Sequence, residues 1–108
     1  MTPDERRYVD EVGRAVAELP ITTGRLGRAD RHFASALHSS GIPIDLVRAA
    51  LLLGAARRVT GQSPMVARQV PIRSLLYFRG VIEELRLSPP DPAYIGYVRR
   101  VLDRALAV

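Results

Sequence analysis

Residues 41–56 of this chain read Gly41-Ile42-Pro43-Ile44-Asp45-Leu46-Val47-Arg48-Ala49-Ala50-Leu51-Leu52-Leu53-Gly54-Ala55-Ala56. The proline and the aspartate near the beginning are typical of a helix start, and every later residue except Arg48 is apolar or glycine. The pattern predicts a helix over residues 44–59 without a polar face. Such a helix must be surrounded by other elements, so we expect it at the centre of the fold. Its small residues Gly54, Ala55 and Ala56 are expected to let a neighbouring helix approach closely.

Four further helices are predicted from helix-capping residues and from apolar residues that recur three and four positions apart. Their ranges are 3–19, 28–39, 73–87 and 92–106. In the second of these helices we expect Ala29, Phe33, Ala36 and Leu37 to face inward. Residues 60–71 contain one glycine and two prolines and are predicted to form a long exposed loop. No segment alternates apolar and polar residues for long enough to form a strand. The sequence therefore predicts an all-α fold, a single compact domain of about five helices spanning residues 1–108.

The charge of the chain is strongly basic and unevenly distributed. It has 16 arginines, no lysine and 11 acidic residues, which gives a formal net charge of +5. Six of the arginines and no acid lie between Asp45 and Glu83. Exclusive use of arginine is a bias that a GC-rich genome imposes on any protein, so the position of the charge is more informative than the residue that carries it. A basic surface on a rigid helical frame is typical of proteins that bind polyanions.

Several functional classes find no support in the sequence. There are no cysteines, which excludes a disulfide framework and a cysteine nucleophile and fits a cytoplasmic location. The N-terminal residues are charged, and the longest apolar run, residues 49–56, is far shorter than the ~20 residues needed to cross a bilayer. His32 and His38 fall on different faces of one predicted helix, so they do not form a metal-binding pair. We predict a protein that is not an enzyme, needs no metal or cofactor and has no membrane partner.

Arg57 and Arg58 close the predicted central helix, and Arg68 follows in the predicted loop. These three side chains could clamp a nucleic-acid backbone, because each neutralised phosphate releases counterions. The alternative is that Arg57 and Arg58 complement the C-terminal dipole of the helix.

The start of the next predicted helix offers a second candidate. Free backbone N–H groups, the Ser74 hydroxyl and Arg73 could together hold a phosphate; the alternative is that Ser74 caps the helix and Arg73 is solvated. Tyr77, near Arg79, could stack on a base if it is exposed, whereas Phe78 is expected to belong to the core. The candidate nucleic-acid-binding residues are thus Arg57, Arg58, Arg68, Arg73, Ser74, Tyr77 and Arg79.

Parts of the chain resemble a known family. The run from Gly41 to Leu51, then Ile72-Arg73-Ser74-Leu75-Leu76-Tyr77-Phe78 and Val81-Ile82-Glu83-Glu84-Leu85, look like the helical DnaD-like domain of bacterial and phage replication-initiation proteins. Residues 73–78 also resemble an Arg-Ser-Leu-X-Tyr-Phe run in small proteins found with bacterial mobile elements. The match covers less than half of the chain, which lacks the tryptophan that commonly closes the domain. The resemblance implies an all-helical module associated with DNA or with the replisome, acting through protein contacts as much as DNA contacts.

Charge and resemblance lead to two hypotheses about function. The first is a small accessory DNA-binding protein, associated with replication or mobile elements, with mainly backbone contacts and no sequence-specific readout. The second is an adaptor for protein–protein interaction or a homodimeric structural module that does not bind nucleic acid. The two differ in their response to salt, since polyanion binding weakens steeply as salt rises and an apolar protein interface does not.

Overall fold

The fold is all-α, as predicted from the sequence. The computed structural model describes residues 1–61 and 64–107, without the side chains of Pro64 and Arg68. Within these residues the α-helices are α1 (Pro3–Ala17), α2 (Arg28–Ser39), α3 (Ile44–Gly61), α4 (Pro64–Gln69), α5 (Arg79–Leu87) and α6 (Pro92–Leu106). A short 3₁₀ helix (Leu75–Phe78) directly precedes α5. The described residues contain no strand, and one isolated parallel bridge joins Thr22 to Ile72.

Local sequence signals account for several helix ends. The hydroxyl of Thr2 accepts a hydrogen bond from the backbone N–H of Glu5 at 3.1 Å, and the Asp91 carboxylate accepts one from Ala93 at 2.8 Å. Both caps satisfy N–H groups that the first turn of a helix leaves without intrahelical partners. The chain leaves α2 through Gly41, whose φ of 74° lies in the left-handed region that commonly ends a helix.

The central position predicted for α3 is confirmed. Nine of its residues are buried, and Leu51 and Leu53 are 1% and 4% exposed. The helix packs against α1, α5 and α6, and also contacts α4 and the 3₁₀ helix. Arg48, the basic residue in its first half, forms an ion pair with Glu11 of α1. Even this polar position therefore contributes to packing between helices.

The close approach expected at the small residues of α3 takes place at Gly54. A Cβ atom added there would lie 2.6 Å from Cδ1 and 2.8 Å from Cε1 of the Phe78 ring. Carbon atoms in contact normally lie about 3.5 to 4.0 Å apart. Because Phe78 is 1% exposed, its ring is enclosed by the core and cannot turn out into solvent to make room. Glycine at this position thus allows the 3₁₀ helix to pack its largest buried side chain directly on the α3 backbone.

Two predicted elements differ from the observed ones. The prediction of a long exposed loop over residues 60–71 is wrong, because α3 continues to Gly61 and α4 occupies Pro64–Gln69. Ala67 of α4 is fully buried, so this short helix is attached to the core, and proline suits its first turn. The helix predicted over residues 73–87 consists of the 3₁₀ helix followed by α5. Ser74 has an extended backbone (φ −135°, ψ 138°), so helical structure begins only after it.

The buried face of α2 is rotated relative to the predicted one. Leu37 is buried as expected, but Ala29 and Ala36 are exposed, and the remaining buried residues are Asp30 and Ala34. The stripe from Asp30 to Leu37 has helical spacing. It was missed because a carboxylate is ordinarily assigned to the solvent-facing side of a helix.

Candidate nucleic-acid interface

Arg57 connects two helices. Its Nη1 and Nη2 atoms donate to the two carboxylate oxygens of Glu84 at 2.9 and 2.7 Å, which joins α3 to α5. The hydrogen bonds from this guanidinium lower the pKa of Glu84 and raise the pKa of Arg57. The Glu84 carboxylate thus neutralises the positive charge of Arg57 within the fold. Of the candidate arginines whose side chains are described, Arg57 is therefore the least suited to binding a phosphate.

Arg58 holds together three segments near the end of α3. Its Nη2 atom donates to the backbone oxygen of Val70, just after α4, and its Cζ lies 5.4 Å from the centroid of the Tyr77 ring. A guanidinium over an aromatic ring makes a favourable cation–π contact. Neither partner is an anion, and Arg58 forms no ion pair with the described residues. Its position is fixed, and its positive charge is not neutralised.

The other candidates between residues 68 and 79 differ in exposure. Arg68 lies on α4, but its side chain is outside the described part of the chain, so its role in backbone contacts remains a prediction. The prediction that Phe78 belongs to the core is confirmed, whereas Tyr77 is 46% exposed. Arg79, the first residue of α5, is exposed.

A carboxylate of the protein occupies the place where a phosphate was expected. Asp30 is 5% exposed, and its Oδ1 atom accepts hydrogen bonds from the Ser74 hydroxyl at 2.8 Å and from the Leu75 N–H at 3.0 Å. The Ser74 side chain in turn accepts from the Leu76 N–H at 3.1 Å. The alternative in which Ser74 caps the helix therefore describes this turn. The Ser74 hydroxyl and the neighbouring amides already have partners within the fold, so this turn is not suited to hold a phosphate.

Replacement of Asp30 by alanine is expected to destabilise the fold by about 1 to 3 kcal/mol. The change leaves the Ser74 hydroxyl and the Leu75 N–H without their buried acceptor. Urea unfolding followed by circular dichroism measures the effect, with Asp10→Ala as a control, since Asp10 is exposed and its contact with Arg31 is 3.4 Å long. Equal effects of the two substitutions would contradict a structural role for the buried carboxylate.

The structure brings Arg73 next to an arginine that sequence reasoning did not select. The Ile72 N–H donates to the Ile21 oxygen at 2.8 Å, and the Thr23 N–H donates to the Ile72 oxygen at 3.0 Å. These bonds join the segment after α1 to the segment before the 3₁₀ helix, so that Arg25 and Arg73 line one narrow crevice. Both arginines are exposed, and neither forms an ion pair with the described residues. Only the tertiary fold identifies Arg25, because residues 21–27 have the composition of an ordinary loop.

Ion pairs elsewhere in the fold neutralise other arginines. Glu11 accepts hydrogen bonds from Arg14 and Arg48, which lower its pKa, and Glu83 pairs with Arg86 at 2.8 Å. In the described part of the structure, the arginines without an ion pair are Arg6, Arg25, Arg28, Arg58, Arg73, Arg79, Arg99, Arg100 and Arg104. The net positive charge of the chain is therefore carried largely by these side chains.

The two histidines are not placed as a pair. His32 is exposed, and the His38 ring lies 5.2 Å from the ring of Tyr8 in an edge arrangement. No group of three or more His, Asp or Glu among the described residues could hold a metal ion.

No helix in the described residues is long and apolar enough to cross a membrane. Comparison with protein families, curated proteins and solved structures finds no match to this chain. The resemblance to the DnaD-like domain therefore remains a prediction.

Proposed function

We propose that this protein is a small accessory protein that binds nucleic acid, with DNA as the first candidate, mainly through the phosphate backbone. The observation that carries the proposal is the crevice lined by Arg25 and Arg73, neither of which has an ion-pair partner in the described structure. We call these two residues, together with exposed Arg79, the basic surface. A role in replication or on mobile elements rests on the resemblance alone.

A phosphate is the ligand that best suits the basic surface. The backbone bonds of Ile72 hold the segments of Arg25 and Arg73 side by side, so one anionic backbone can contact both exposed side chains. Guanidinium groups also match phosphate oxygens with paired N–H donors. The Asp30 carboxylate does not supply this anion, because its oxygens accept from Ser74, Leu75 and Gly27. Contacts of this kind position a protein on its ligand but carry no sequence information, so we expect little sequence preference.

The charge of the whole chain favours the same ligand. A net charge of +5 attracts polyanions over a distance when ionic strength is low. Binding that relies on such attraction is weakened by salt, because each neutralised phosphate releases counterions.

Removal of charge from the basic surface tests the proposal. We expect Arg25→Gln combined with Arg73→Gln to weaken binding to duplexes and single strands alike. The slope of log affinity against log salt concentration should fall by roughly 0.7 to 0.9 for each phosphate contact that is lost. Fluorescence anisotropy of a labelled oligonucleotide at several salt concentrations measures both effects. The circular dichroism spectrum should not change, because both side chains are exposed.

Arg99→Gln combined with Arg100→Gln is the matched control. It removes the same charge from two exposed arginines of α6 that also lack ion pairs in the described structure. A specific basic surface predicts a much larger loss for the Arg25 and Arg73 pair. Equal losses for the two pairs, or no salt-sensitive affinity of the unmodified protein at low ionic strength, would contradict the proposal.

A role as a protein-interaction adaptor is favoured by a different observation, the exposed apolar side chains of Met65 and Val70 on and after α4. Such a role is compatible with nucleic-acid binding, since apolar side chains and arginines recognise different chemical groups. Formation of a homodimer remains a prediction.

A further inference from the structure

Exposed apolar side chains lie on α4, just after it, and on the 3₁₀ helix. Five of the nine large hydrophobic side chains that are exposed in the described residues fall within residues 65–77, with exposed fractions of 42 to 68%. They are Met65, Val66, Val70, Leu76 and Tyr77. Arg58 links two of them, because its guanidinium contacts both the Val70 carbonyl oxygen and the Tyr77 ring. We call these six residues the α4 surface.

The composition of the α4 surface is that of a protein interface. Methionine, tyrosine and arginine are enriched in the centres of protein–protein interfaces, and carboxylates are depleted there. Clustered apolar side chains on the outside of a small protein commonly mark an interaction site. Phosphate groups would gain nothing from Met65 or Val70, so binding of a nucleic-acid backbone leaves this surface unexplained.

The backbone of this region is not available to pair with a partner strand. The Val70 N–H donates to the Val66 oxygen, and the Val70 oxygen accepts from Arg58. Pro71 has no N–H group, and both backbone polar groups of Ile72 bond to residues 21–23. A partner therefore has to bind through side chains, and the peptide that does so with apolar anchors on one face is an amphipathic helix.

The charge around the α4 surface indicates the polar part of that partner. No acid occurs in the sequence from residue 46 to residue 82. The next two acids along the chain, Glu83 and Glu84, are paired with Arg86 and Arg57. Arg58 has no anionic partner in the described structure. Acidic residues on a partner would complement this uncompensated positive charge.

We propose that the α4 surface binds an amphipathic helix of a partner protein, whose apolar face is flanked by acidic residues. The apolar face covers Val70 and Tyr77, and the acidic flank lies near Arg58. This interaction goes beyond the proposed nucleic-acid binding, because it uses side chains that phosphate contacts do not need.

A designed peptide provides the probe. Leucine and glutamate placed in a helical repeat give one apolar face flanked by carboxylates, and a fluorescent label allows titration with the full chain. A scrambled peptide of the same composition has the same charge but no continuous apolar face. A third peptide, with arginine in place of glutamate, keeps the apolar face and reverses the charge. Only the first peptide is expected to bind.

Two exposed apolar residues give a matched pair of protein variants. Val70→Ser is expected to weaken binding of the acidic amphipathic peptide roughly tenfold, because an apolar contact is lost and a hydroxyl takes its place in the interface. Leu87→Ser should leave peptide binding unchanged. Leu87 is also an exposed apolar residue (76%), but it lies at the end of α5, outside the α4 surface. Neither variant should alter oligonucleotide binding, and both should keep the circular dichroism spectrum of the unmodified protein.

Several outcomes would overturn the inference. They are failure of the acidic amphipathic peptide to bind, equal binding of the scrambled or the arginine peptide, and equal effects of Val70→Ser and Leu87→Ser. Loss of oligonucleotide binding in Val70→Ser would assign the surface to nucleic acid instead. Sedimentation of the protein with vesicles that contain phosphatidylserine, lost in the same variant, would assign it to lipid. The peptide titrations do not depend on Arg25 or Arg73, and the Arg25 and Arg73 experiment uses no peptide, so each proposal can fail separately.

Discussion

Replacement of Leu51 by alanine is expected to lower the free energy of unfolding by about 2 to 5 kcal/mol. Leu51 is 1% exposed on a helix that packs against α1, α5 and α6. The packed helices cannot collapse fully into the space that the side chain leaves, so a cavity adds to the loss of apolar burial. A small domain has only about 5 to 15 kcal/mol of stability, and this one change could remove most of it. Urea unfolding monitored by circular dichroism gives the value.

Leu87→Ala is the control for this measurement. The same atoms are removed from an α-helical residue that is 76% exposed, and the expected change lies within about 0.5 kcal/mol. If both leucines gave similar values, α3 would not be the centre of the core. The free energy of unfolding should fall with urea concentration at the same slope in both variants, provided that the unfolded state is unaffected.

Replacement of Gly54 by alanine is expected to destabilise the protein by about 1 to 3 kcal/mol. Alanine is the better helix former by about 1 kcal/mol, so helix propensity alone predicts the opposite sign. The added Cβ would lie 2.6 Å from the enclosed Phe78 ring, and either the ring or α3 has to move. Thermal or urea unfolding measures which effect is larger.

Gly80→Ala separates the two effects. Gly80 lies in α5, and a Cβ added there meets no atom within 4 Å. Helix propensity is then the main contribution, and we expect a gain of up to about 1 kcal/mol. Stabilisation by both substitutions would show that the Phe78 ring adapts easily, and would contradict the account of close packing at Gly54.

The packing of Phe78 on Gly54 also has a consequence for the two proposed binding surfaces. Phe78 ends the 3₁₀ helix, so its position fixes the chain that carries Arg73, Tyr77 and Arg79. Strain introduced at Gly54 is therefore expected to disturb these residues even though α3 carries none of them. A substitution in the core and a substitution on the surface can thus weaken binding of the same ligand, the first by shifting the binding residues and the second by removing one of them.

The candidate interface could be predicted only in part. The sequence showed that Arg57 lies in an interval without acids, but α5 brings Glu84 against it, 27 positions away. Ser74 was a candidate to hold a phosphate, with helix capping as the alternative, and Asp30 of α2 accepts a hydrogen bond from its hydroxyl. Both differences arise from pairing between residues far apart in the chain, which helical periodicity and charge counts do not reveal.

Local features of the sequence were sufficient for the helices whose ends depend on neighbouring residues. Thr2 and Asp91 cap their helices and Gly41 ends one, and each of these signals acts within a few residues. The apolar run of α3 requires a central position because of its hydrophobicity alone. Tertiary contacts decided the rest. Which surfaces the packed helices bring together determines three features. They are the burial of Asp30, the formation of α4 around Ala67, and the position of Arg25 and Arg73 along one crevice. Burial of a carboxylate destabilises a protein unless hydrogen-bond donors accompany it, and only the folded chain brings such donors to Asp30.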